Sequence, residues 1–153
     1  MKGAKRNKEI GTETRVNAVI EKMQHSKFRY YNLNPLGHHT GDCVIRAIGA
    51  AEGMSWEDVI NDLYKYTLKY KYFINSTELY EIYLKDKGWT KHNPPHKRGG
   101  KLYCLHEWID RTKGRAAIVT IDDDHLTYVV ENKFYDIWDC SEHTVGEYWT
   151  YDE

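Results

Sequence analysis

The sequence predicts an α+β domain, with helices in the first two thirds of the chain packed on an antiparallel sheet formed by the last third. Two observations carry this. Apolar residues before position 110 recur at spacings of three and four, the period of a helix with one buried face. After position 115 the pattern changes to β-branched and aromatic runs separated by turn residues, the mark of strands. The chain has 153 residues, about the length of one domain with one core, and contains no internal repeat.

Taken in order, residues 1–14 are polar, and Lys2, Lys5, Arg6 and Lys8 give them a basic, solvated character. Val16, Val19, Ile20 and Met23 predict a helix over 15–28. Residues 1–29 are thus read as a basic tail and a helix, and 30–153 as the globular domain. Tyr30 to Asp42, with Asn, Pro, Gly and His, is expected to be a loop. A buried helix is predicted from Cys43, through Val44, Ile45, Ala47, Ile48 and Ala51, ending at Gly53. Ser55 followed by Asp58 resembles a capping box and opens a third helix through Val59, Leu63, Tyr66 and Tyr70. A fourth begins near Thr77 and stops at Gly88. Lys91 to Lys101 reads as a mobile loop, and Leu102 to Ile109 as a short helix. Strands are expected at 116–121, 126–130 and 134–138.

Composition excludes several classes. The net charge of -1 supplies no basic field for nucleic acid. No apolar run reaches the roughly 20 residues of a membrane span, and no secretory h-region begins the chain. Three irregularly spaced cysteines are not a disulfide framework. They fit a reducing compartment, so the cytoplasm is expected.

Cys43 follows Asp42, a good N-cap, and would stand in the first turn of its helix. A helix N-terminus favours negative charge and so favours thiolate, the nucleophilic form. The plain alternative is a buried structural cysteine. His125 and Asp139 lie in the last two predicted strands. If the hairpin loop is the three residues Glu131-Asn132-Lys133, His125 stands opposite Asp139, and the carboxylate can orient the imidazole. A two-residue loop would put them on opposite faces. Arg46, three residues after Cys43, either supports the thiolate or forms a structural ion pair. Cys104 with His106, and Cys140 with His143, lack the common zinc spacing, and no metal or other cofactor is expected. Tyr64, Tyr66, Tyr70 and Tyr72 read as core and interface, and Lys97, Arg98 and Lys101 as a solvated loop.

The order of cysteine at a helix start, histidine at a strand start and Asn/Asp closing the next strand resembles papain-like cysteine peptidases. Gly41-Asp42-Cys43-Val44-Ile45-Arg46-Ala47 looks like the nucleophile helix of small papain-like proteins of bacterial and phage genomes. The stretch from His125 to Asp139, with Tyr148-Trp149 beyond, is similar to their C-terminal strands and to those of bacteriocin-leader peptidases. The resemblance implies a papain-like fold and a thiol peptidase or isopeptidase acting on a protein or peptide. In it Cys43 attacks an amide carbonyl, His125 moves the proton and Asp139 orients His125. It also implies an amide side chain about six residues before the cysteine, donating to the oxyanion. Position 37 is Gly, and Asn34 is the preferred substitute over Asn32 and His38. Transglutaminase-like acyl transfer shares this layout. A catalytically silent binding or inhibitor protein on the same scaffold is the rival from another class, and a nucleic-acid module is the third.

Overall fold

The structure is a computed structural model, and it describes residues 15–17 and 26–151. The basic tail and most of the helix expected over 15–28 lie outside the described residues; positions 15–17 are helical.

The described elements run β1 (Phe28–Tyr30), α1 (Cys43–Glu52), α2 (Trp56–Tyr70), α3 (Thr77–Asp86), β2 (Trp89–His92), α4 (Leu105–Ile109), β3 (Ala117–Ile121), β4 (His125–Val130), β5 (Lys133–Asp136) and β6 (Val145–Tyr151). The α+β class holds, but the sheet is larger than predicted and mixed. Its order is β1-β5-β4-β3-β6-β2, with β1 parallel to β5 and the other neighbours antiparallel. A division between residues 29 and 30 therefore cuts through β1, which belongs to the sheet. The segment expected as loop from Lys91 begins instead in β2, where Lys91 and His92 pair with Trp149 and Tyr148.

Local chemistry explains the helix ends. Gly53 closes α1 in the left-handed region at φ 66, where its lack of a Cβ removes the steric cost. Ser55 caps α2, its hydroxyl accepting from the Asp58 N–H at 3.1 Å. Asp42 occupies the N-cap position of α1 but does not cap it. Its carboxylate is engaged elsewhere, as described below.

The sheet is covered on both faces. On one, Val44, Ile45 and Ile48 of α1, Val59 and Leu63 of α2 and Tyr83 and Leu84 of α3 meet Ile118, Leu126 and Trp149. On the other, Leu105, Trp108 and Ile109 of α4 meet Val119, Val129, Phe134, Cys140 and Val145. Alternation along β3 deals Ile118 to the first core and Ala117 and Val119 to the second, as strand geometry requires. Helix α1 packs close against its surroundings at Gly49, where an added Cβ would fall 2.1 Å from Leu33 Cδ2. The first core thereby fixes α1 across β4, which brings the start of the helix beside the start of the strand. Among the described residues no helix is long and apolar enough to cross a membrane.

Candidate active site

Cys43 is the first residue of α1 and His125 the first of β4. The packing of α1 on β4 brings them together at the wall of one cleft, which Leu126 also lines. Burial alone would push the Cys43 thiol up. The hydrogen bonds from His125 and Leu126, and the charges of His125 and Arg46, outweigh it, and the net shift is downward from the ordinary 9.0. Burial likewise opposes the charged form of His125. Its contacts with Asp136, Cys140 and Cys43 reverse that and raise its pKa to about 11. The two shifts have opposite signs and one meaning: the proton belongs on the imidazole and the negative charge on sulfur.

The carboxylate on His125 is Asp136, not Asp139. His125 Nε2 donates to Asp136 Oδ2 at 2.6 Å. The reason is the β4–β5 turn. Val130 pairs with Lys133, so the loop is the two residues Glu131 and Asn132, both in the left-handed region. This is the primed geometry that suits tight hairpins. Continued outward, the register sets Thr127 against residue 136, and His125, two residues from Thr127, shares its side. Asp139 lies past the strand, where its carboxylate accepts from the Ser141 N–H at 3.1 Å and from the Ser141 hydroxyl. Trp138 packs its indole beside the imidazole, ring centroids 5.1 Å apart.

Asp136 is 2 % exposed and is supported from behind. Its other oxygen lies 3.6 Å from the Arg46 guanidinium and accepts from the Ile137 N–H at 2.7 Å. Arg46 also donates to Asp42 at 2.7 Å. Asp42 further accepts from the Trp56 indole at 3.0 Å and the Asn34 amide at 3.3 Å. A buried chain of charge thus runs Cys43, His125, Asp136, Arg46, Asp42. Burying so many charges is tolerable only because each finds a partner.

Asn34 does not line the cleft that holds Cys43 and His125. Its amide nitrogen donates to Asp42, and its carbonyl oxygen accepts from the Leu36 and His38 N–H groups. The residue that stands near the nucleophile instead is Asn75, just before α3. It lines a cleft of about 420 Å³ together with Cys43, Thr77, Tyr80, Asp124 and His125. One Asn75 N–H is held by the Gly41 carbonyl at 3.2 Å, two residues before the nucleophile, and an amide has a second to give.

His125, Asp136 and Cys140 offer nitrogen, oxygen and sulfur atoms within 4.8 Å of one another, as do Cys104, His106 and Glu142. Both sets have donor types that zinc accepts. In the first, Arg46 already faces Asp136, and its charge competes with that of a metal. His143, the expected companion of Cys140, is hydrogen-bonded through Nδ1 to Asp122. Elsewhere Tyr66 packs edge-on to Tyr83, while Tyr64 and Tyr72 are exposed. Lys97 is paired with Glu107 at 2.6 Å.

No protein-family model, curated protein or solved structure matches the chain.

Proposed function

We propose that the chain is a cysteine hydrolase of papain-like construction, cleaving an amide bond in a protein or peptide through a Cys43 thioester. The observation that carries this reading is Cys43 at the start of α1 lining one open cleft with His125, whose imidazole is held by buried Asp136 at 2.6 Å; the opposite shifts of the two groups agree with it. A thiolate–imidazolium pair is a nucleophile and its acid already separated. Structural cysteines have no need of one.

The Cys43 sulfur attacks the carbonyl carbon, and the carbonyl electrons move to oxygen. The backbone N–H of Cys43, unpaired by position in the first turn of α1, and the second N–H of Asn75 are the donors for that oxygen. Collapse expels the amine, which takes the imidazolium proton of His125. Water then enters, gives His125 a proton and attacks the thioester, and Cys43 leaves as thiolate. Asp136 keeps Nε2 protonated and the ring aimed, so that Nδ1 works at the cleft. The three cysteines are all free, and the reading places the chain in a reducing cytoplasm.

The test is turnover of p-nitrophenyl acetate and of a peptide library by wild type, Cys43→Ala and His125→Ala. A burst of p-nitrophenol with acetylated Cys43, lost in both variants, supports the reading. Turnover indifferent to Cys43→Ala contradicts it. Amine incorporation in place of cleavage would make the chemistry acyl transfer.

A further inference from the structure

A second hollow, of about 310 Å³, opens beside α4 and shares no residue with the Cys43 cleft. Its walls include Trp108, Arg111, Lys113, Arg115 and Tyr148. Trp108, Ala117 and Tyr148 belong to the core on the α4 face of the sheet, whereas Cys43 packs with the core on the other. The two sites are independent.

Three features of the hollow converge on one ligand. Arg111-Thr112-Lys113-Gly114-Arg115 puts three cations within five residues of a chain whose net charge is -1. Among the described residues none of the three pairs with a carboxylate. Asp110, the adjacent acid, is taken by Lys27 at 2.9 Å. The turn presenting the cations is anchored. Thr112 N–H donates to Ile109 at 3.0 Å, Arg115 N–H to Thr112 at 3.1 Å, and Gly114 N–H to the Asn132 side chain at 3.1 Å. Lastly, two aromatic side chains line the hollow, Trp108, which is 6 % exposed, and half-buried Tyr148. Their rings pack 4.8 Å apart, and His92, outside the hollow, stacks on Tyr148 at 4.7 Å, so both present ring edges to it.

Cations without carboxylate partners, of which Arg111 also lies over the Tyr103 ring at 5.3 Å, beside flat rings suit a molecule that is anionic at one end and planar at the other. We propose that the hollow binds a nucleoside phosphate, its base against Trp108 and Tyr148 and its phosphates among Arg111, Lys113 and Arg115. The volume is at the lower end of the ~300–1,000 Å³ usual for small-molecule sites.

The experiment is calorimetric titration of the full chain at low salt with ATP, adenosine and inorganic phosphate, with shifts of the Trp108 and Tyr148 resonances followed by NMR. The expected result is one ATP per chain, bound more tightly than adenosine or phosphate and weakened by added salt. The double variant Arg111→Gln/Arg115→Gln, altered only at exposed side chains, should weaken ATP by at least about tenfold. Cys43→Ala should bind as wild type. No saturable binding at millimolar ATP, phosphate binding as tightly as ATP, tighter binding of single-stranded RNA, or indifference to the double variant would each overturn the proposal.

Discussion

His125 Nε2 and Asp136 Oδ2 are 2.6 Å apart, across a two-residue hairpin that leaves Asp139 beyond the strand end. That contact holds the Nε2 N–H on the carboxylate and leaves Nδ1 for the reaction. Asp136→Asn should therefore lower acylation of Cys43 by at least about a hundredfold, because a neutral amide neither stabilises the imidazolium nor enforces the tautomer. Asp139→Asn should leave acylation within about twofold, as expected of a group outside the machinery. Burst kinetics with p-nitrophenyl acetate, beside circular dichroism to confirm folding, measure both.

Arg46 neutralises two buried carboxylates, Asp42 and Asp136. Replacing it by Leu leaves both uncompensated, and the domain should lose about 3–5 kcal/mol of stability. Urea unfolding checks this. A loss under about 1 kcal/mol would mean that water reaches the network and screens it.

Cys43 and His125 set a pH window for stability. The raised His125 contributes stability that is complete below 6.5 and is lost as pH rises towards about 11. The lowered Cys43 contributes above 9.0 and loses its contribution as pH falls through its folded value. Where the folded Cys43 has lost a proton that the unfolded thiol keeps, that loss offsets the proton His125 keeps, and the combined slope is shallower than that of His125 alone. In Cys43→Ala only the histidine remains, and stability should fall more steeply between 6.5 and 9.0 than in wild type. Thermal unfolding across this range reads the slope directly. A slope that does not change contradicts the coupling.

Asn75 separates two kinds of reaction at one sulfur. Acylation develops an oxyanion, and alkylation by iodoacetamide does not. Asn75→Ala should slow acylation by p-nitrophenyl acetate about 10²–10³-fold while leaving the alkylation rate unchanged. Equal slowing of both would assign Asn75 to holding Gly41 and the start of α1.

Much of this was legible in the chain. Asp42-Cys43 followed by Val44, Ile45 and Ile48 announces a buried helix with a cysteine at its mouth, and Ser55 and Gly53 mark real ends. The helix at Thr77 and the runs that became β3, β4 and β5 were equally clear, because each writes its period locally. The sequence points to Asp139 and not Asp136 because Glu131-Asn132 lacks the glycine that usually signals a two-residue hairpin. One residue of loop length changes which carboxylate shares a face with His125. Strands β1 and β2 are three and four residues long, too short to show a period, and they exist by pairing with β5 and β6. The roles of Asn34 and Asp42 are less local. Arg46 is the i,i+4 partner of Asp42, but Trp56 and Asn34 reach the same carboxylate only through tertiary packing.

The most direct measurement is the pH dependence of Cys43 alkylation by iodoacetamide in wild type and His125→Ala, with Cys104 and Cys140 changed to Ser in both. The pair requires rapid labelling that persists well below the ordinary thiol value of 9.0, and slowing at neutral pH when His125 is removed. Labelling that follows an ordinary thiol titration and ignores His125 would contradict the thiolate–imidazolium pair, and with it the hydrolase.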